Sequence, residues 1–381
     1  MSSQITRKTL SSLIALAMVV LFAAACGTAG TNKAANTQSQ GQNQNNNVSQ
    51  EQKPATSGGN LKKNISIATS PVGSSLHAAS SGIASIVSQN SEVKVTVKPF
   101  AGLTAFGPQL DKGEVDIGFD TMPGVVWAFR GENGFEKNKN LRLVVRGNFI
   151  EETGPIVRKD SKINSVADLK GKRVASDYPA TPTAKATMDA VLDANHLSWN
   201  DVKKVPIPTS VAGIEGIRDN RLDAAFMMTP TTPVVMETHN AVGIKALNLL
   251  DNVKATEEDI KKVPKETVDK IISRIPGARL TIVKPVGFVT EPTVAFEYPT
   301  ALVATAQLND ETVYEITKTL FANYEKLHPI HLWLSTWKPE QMFDPNPSLP
   351  YHPGVIKFLK EKGLWNDNLE KTQQELLKAA K

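Results

Sequence analysis

Between Ile67 and Ser80 the chain reads IATSPVGSSLHAAS, which starts like a buried strand and ends like a helix. The join carries Thr69, Ser70, Gly73, Ser74 and Ser75, with His77 one turn on. One Ser, Thr, Asp or Asn is enough to cap a helix. The surplus hydroxyls therefore suit hydrogen bonding to something other than the helix. Thr181 and Thr183 form a second cluster of this kind, and Thr229, Thr231 and Thr232 a third. Helix beginnings offer unpaired N–H groups and partial positive charge, so together they can hold a carboxylate without a metal. That is a chemistry of holding rather than of bond breaking. The plain alternative is that these residues only cap helices and pack loops. No G-x-S-x-G elbow, H-E-x-x-H pair or glycine-rich dinucleotide fingerprint occurs. His328 and His331 in HPIH have a proline between them and no carboxylate or cysteine at ligand spacing, so no metal and no cofactor is expected.

These residues sit in an alternation of strand and helix patterns. Ile65 and Ile67 precede a helix with Leu76, Ala79, Ile83 and Ile86 on one face. VKVTVKPF alternates Val93, Val95 and Val97 with Lys94, Thr96 and Lys98, a strand covered on one face. A short helix with Pro108 at its first position comes next, then a strand over Val115–Phe119. The strand Leu141–Arg146 runs into the turn-rich GNFIEETGP. A second series opens near Ile156. Ser165 and Asp168 have capping-box spacing, Arg173–Ser176 is a strand, and Pro182 starts a helix with Ala184, Met188, Val191 and Leu192 inward. Val211, Ile214 and Ile217 mark another helix before the strand AAFMM. Asp251–Arg279 is charged and helical without a motif. YPTALVAT is a strand, a helix starts at Asn309 or Asp310, and Pro353 opens the last clear one. Such alternation implies α/β lobes.

The ends place the protein. Arg7 and Lys8 precede an apolar run, Leu13–Ala25, too short to span a bilayer and finished by small residues, so 1–25 is expected to be a signal peptide. Cys26, the only cysteine, comes after FAAA in a pattern that resembles the lipobox of bacterial lipoproteins, which implies cleavage before it and lipid attachment to its sulfur. Residues 26–60 are rich in Gln, Asn, Ser and Gly and are expected to be a disordered tether. The remaining length exceeds what one core usually serves. A net charge of +5 over 381 residues argues against a nucleic-acid partner and leaves an anionic ligand open.

IATSPVGSSLHAAS, GEVDIGFD, IVRKDSKINSVADLKGKRVA and LPYHPGVIKFLKEKGLW, in this order, with VYEITKTLF before the last, resemble the solute-binding subunits of TRAP (tripartite ATP-independent periplasmic) transporters, the TAXI subfamily in particular. The resemblance covers almost all of Leu61–Leu364. It implies a type II periplasmic-binding-protein-like fold: α/β, two lobes, mixed sheets flanked by helices, and a ligand cleft between the lobes. The expected lobes are 61–153 with 297–381, and 154–296. It further implies that a small, usually anionic solute, a carboxylate or an amino-acid-like compound, is captured and delivered to a TRAP-type membrane permease, and with the leader and Cys26 the expectation is a monomer held outside the cytoplasm on a lipid anchor. Cleft residues so implied are Thr69, Ser70, Gly73, Ser74, Ser75, His77, Thr104, Asp120, Thr121, Tyr178, Thr181, Thr183 and Thr229.

The chain departs from the family pattern. A glycine-serine-glycine-threonine-arginine segment is replaced by Ala180–Ala184, so the arginine position is Ala184. His77 stands at a tyrosine position and Asp120 at an alanine position. Arg146 is basic where the family is small or polar, and is expected either to replace the missing clamp or to be a solvated arginine near a hinge. Trp127, Tyr178, Tyr298, Trp333 and Trp337 can wall the cleft or serve the core. Competing functions are an ABC-importer binding protein, a ligand sensor that presents its closed form to a membrane receptor kinase, and an exported hydrolase.

Overall fold

The structure, a computed structural model, describes residues 60–226 and 228–380, so the leader, Cys26 and nearly all of the tether lie outside the described residues. Chain order begins β1 (Asn64–Thr69), α1 (Ser75–Asn90), β2 (Lys94–Pro99), α2 (Leu103–Asp111), β3 (Ile117–Thr121), α3 (Met122–Arg130) and β4 (Leu141–Glu152). The middle series is β5 (Ile156–Arg158), β6 (Arg173–Asp177), α4 (Pro182–Ala194), β7 (Lys203–Ile207), α5 (Ser210–Arg218), β8 (Ala224–Ala225), α6 (Pro233–Val242) and β9 (Ile244–Ala246). The last series is α7 (Glu257–Lys261), α8 (Lys265–Arg274), β10 (Arg279–Val283), β11 (Thr293–Thr305), α9 (Asp310–Ala322), α10 (Pro353–Glu361) and α11 (Asp367–Ala379).

The strands form two mixed sheets flanked by helices, the two-lobed α/β architecture. In the first sheet β1 runs parallel to β2 and β3, and β11 runs antiparallel to β3, β10 and β4. Because β4 accompanies β11 over most of its length, β10 and β3 lie end to end along the other edge of β11. The second sheet has the order β7-β6-β8-β5-β9. β1 is buried at every position after Asn64, as helices on both sheet faces require. The helix stripes fall as their spacing demands: Ala79, Ile83 and Ile86 of α1, and Ala184, Met188, Val191 and Leu192 of α4, are buried.

Three expectations need correction. The segment GNFIEETGP is not a turn, because β4 continues through Glu152 against β11, a strand remote in sequence. Pro108 lies inside α2 rather than at its start, which leaves the helix one backbone N–H short at that position. Helix α11 comes after the one expected to be last. Among the described residues no helix is long and apolar enough to cross a membrane.

An irregularity in β4 sets which of its side chains face each side of the sheet. Phe149 pairs with Pro299, but Arg146 pairs with Ala301, so β4 carries an extra residue at Gly147–Asn148. Such a bulge reverses the alternation of side chains between sheet faces. Gly147 suits the site because a β-carbon there would stand 1.9 Å from Thr300 Oγ1.

Candidate functional site

A cavity of about 60 Å³ opens where the carboxyl ends of several strands face helix beginnings. From the first sheet it receives Ser70 after β1, Asp120 and Thr121 at the end of β3, Glu152 at the end of β4, and Tyr298 from β11. From the second it receives Thr181 and Thr183 after β6, Thr209 and Ser210 after β7, and Phe226 and Met228 after β8. The first turns of α1, α4 and α5 therefore face one space, as open α/β sheets arrange their ligand sites. Leu76, Leu103, Phe135 and Ile150 supply apolar wall.

The two halves touch directly around the cavity. Thr121 Oγ1 and Thr183 Oγ1 are 3.2 Å apart, and Thr104 Oγ1 donates to Pro179 O at 3.1 Å. Val234 N donates to Gly73 O at 3.2 Å. A β-carbon on Gly102 would lie 2.0 Å from Ala180 O, so the two backbones meet with nothing between them. These contacts define a closed arrangement.

Of the expected cleft residues, Ser70, Ser74, Ser75, Asp120, Thr121, Thr181 and Thr183 line this cavity. The others lie elsewhere. Thr69 is fully buried and its Oγ1 accepts from Ser80 Oγ. Gly73 sits beside the cavity at φ 90°, a left-handed turn that glycine adopts without strain. His77 donates its backbone N–H to the capping Ser74 Oγ, and its ring, whose pKa burial lowers, does not reach the cavity wall. Thr104 bridges the halves outside it. Tyr178 is fully buried beneath it, and its hydroxyl accepts the Phe226 N–H at 2.8 Å. Asp177 and Tyr178, both at positive φ, make the strained turn into α4. Thr229 is buried without a side-chain partner and off the wall. Arg146 is the largest displacement. It lies in an outward groove, its Nε 3.9 Å from Asp344 Oδ2 and its guanidinium 5.1 Å from the Phe149 ring centre.

The electrostatics of the cavity are acidic. Asp120 and Glu152 are 7% and 6% exposed. Burial raises the Asp120 pKa to about 6, against the pull of Thr121, whose N–H and hydroxyl both donate to Oδ1. Burial also raises that of Glu152 to about 8, opposed by a hydrogen bond from the Tyr298 hydroxyl and reinforced by the charge of Asp120. Among the described residues no arginine, lysine or histidine lines the cavity.

Residues 67–363 match the NMT1-like family. The chain belongs to that family. Among solved structures, this NMT1-like chain resembles the periplasmic aliphatic sulphonate-binding protein SsuA of Escherichia coli, at 15% identity over 83% of this chain and 86% of that one, with a TM-score of 0.37. It also resembles PhnD1 of Prochlorococcus marinus in complex with methylphosphonate, at 13% identity over 80% and 99%, with a TM-score of 0.47.

Sequence reasoning missed Glu152, Thr209 and Ser210 in this NMT1-like protein. Thr209 was open to detection, since a threonine just before the helical pattern at Val211 is an N-cap signal, and its Oγ1 accepts from Ala212 N at 3.1 Å. Trp127 and Trp337 belong to the core, whereas Tyr298 reaches the cavity. Among the described residues no group of His, Cys, Asp or Glu is placed to hold a metal.

Proposed function

We propose that the protein is an extracytoplasmic solute-binding protein that encloses a small organic solute between its two halves and delivers it intact to a membrane permease. The supporting observation is the single cavity wall built from both sheets and closed by Thr121–Thr183 contact. A solute that touches both halves favours the closed form by its extra contacts there, and a permease distinguishes closed from open. In this reading Ser70, Ser74, Ser75, Asp120, Thr121, Thr181 and Thr183 contact the solute, joined by Glu152, Tyr298, Thr209 and Ser210. Residues 61–153 with 297–381 form one lobe and 154–296 the other, with β10, inside the second range, paired on the first sheet. The sequence resemblance supports a TRAP-type permease, and an ABC importer is the alternative partner. The leader and Cys26 support a lipid-anchored monomer outside the cytoplasm. The function is binding without turnover.

A thermal-shift and calorimetric screen of small amines, amino acids, carboxylates and sulfonates tests this. Saturable binding at one site per chain, with the compound recovered unchanged, is expected. Chemical consumption of the bound compound would end the receptor reading.

A further inference from the structure

We propose that the solute is a small organic cation, an ammonium on a short apolar frame, whose charged head lies between Asp120 and Glu152. This rests on the receptor reading above and names the solute class for the same site.

Both carboxyl groups are more than nine-tenths buried on the cavity wall, and each has one oxygen engaged and one free. Asp120 Oδ1 takes both donors of Thr121, and Glu152 Oε2 takes the Tyr298 hydroxyl. Asp120 Oδ2 and Glu152 Oε1 have no donor among the described residues. The buried Ser70 Oγ on the same wall is also without a partner. A buried carboxylate needs a countercharge or a proton. The protein supplies no countercharge here: Arg146 faces the outward groove, and Lys185 pairs with Asp189 at 2.7 Å. The raised pKa values of the pair show the same shortage. An anionic solute would hold the pair in its protonated form, whereas an ammonium fills the missing donor positions and displaces the protons. The helix beginnings that could draw an anion are partly occupied, since the N–H at the start of α3 serves Asp120. The volume of about 60 Å³, against ~150 Å³ for a cavity that takes benzene, limits the apolar frame to a few carbons. Leu103, Phe135, Ile150 and Phe226 provide the apolar surface it would meet.

The test compares three probe sets on the folded protein by calorimetry: ethylamine through butylamine, the amino acids alanine through norvaline, and propionate through valerate. Each is run in two buffers of different ionisation enthalpy, to count protons exchanged. The amines are expected to bind tightest and to release protons near pH 7. Glu152→Gln should weaken them at least ~30-fold and reduce that release. Without solute Glu152 already holds a proton near pH 7, so its neutral isostere should fold; a circular dichroism spectrum checks it, and the proton count on the unaltered protein tests the idea independently. Tighter binding of the amino acids or carboxylates, or proton uptake on binding, overturns the cation while leaving the receptor standing. No saturable binding by any set overturns both.

Discussion

Arg146 and Glu152 are six residues apart on one strand, and their surroundings are opposite. A regular strand would place them on the same face. The bulge at Gly147–Asn148 sends Arg146, with Phe149 and Glu151, into the outward groove, and Ile150 and Glu152 into the cavity. Outside, the arginine has an aromatic ring and a distant carboxylate. Inside, the glutamate has one tyrosine hydroxyl and an acidic neighbour. The outer charge has an opposite charge beside it, and the inner one has none on the cavity wall. A charge that a protein leaves short of partners is the better guide to what the protein is built to receive.

The sharpest way to break this contrast is to stop the cavity from closing. Gly102→Ala places a methyl group 2.0 Å from the Ala180 carbonyl oxygen, a backbone atom that cannot swing aside. Affinity for the solute should fall ~100-fold, because the closed form is no longer accessible. Small-angle scattering should show no compaction on solute addition. The outward groove should be unaffected.

The next largest effect comes from the bulge. Gly147→Ala puts a methyl group on Thr300 and should cost about 2 kcal/mol of unfolding free energy, measured by urea titration, and weaken solute binding as Glu152 shifts. A variant that loses stability but keeps full affinity would separate the bulge from the site.

A smaller effect is read in the pH dependence of stability without solute. The Glu152 pKa is raised by folding from 4.5 to about 8, so between these values the folded state holds a proton that the unfolded state has lost. Stability from this group is therefore greatest at low pH and falls as pH rises towards 8. Asp120, raised from 3.8 to about 6, acts in the same sense at lower pH. His331 and His352, lowered to about 4, act oppositely and only below their ordinary 6.5. Among these four groups Glu152 is thus the main contributor above pH 6.5. There Tm should drop by ~4 °C on going to pH 8, and Glu152→Gln should flatten that limb. The smallest effect closes the comparison: Arg146→Ala should leave solute affinity within about twofold, since its ion pair is long and partly exposed. A large loss would return Arg146 to the site.

Much of the cavity was legible from local pattern. Ser70, Ser74, Ser75, Thr181 and Thr183 stand where strands give way to helices, and in α/β folds those joins converge. Asp120 was readable as the end of a strand. Glu152 was not, because Glu, Thr and Gly before a proline resemble a turn until the partner strand is known. That partner, β11, lies well over a hundred residues downstream, and its pairing overrides local preference. The position of Arg146 was out of reach for a related reason. Its face depends on a single inserted residue in the ladder, and composition carries no sign of one. The expectation of an anionic solute counted Asp120 among the cleft residues but not Glu152, which the pairing of β4 with β11 brings to the same cavity.

A crystal structure with butylamine bound tests the account most directly. The amine nitrogen is predicted to lie about 2.8–3.0 Å from both Asp120 Oδ2 and Glu152 Oε1, its carbons against Leu103 and Ile150. Density for the amine outside this cavity, or a carboxylate compound seated in its place, would contradict the account.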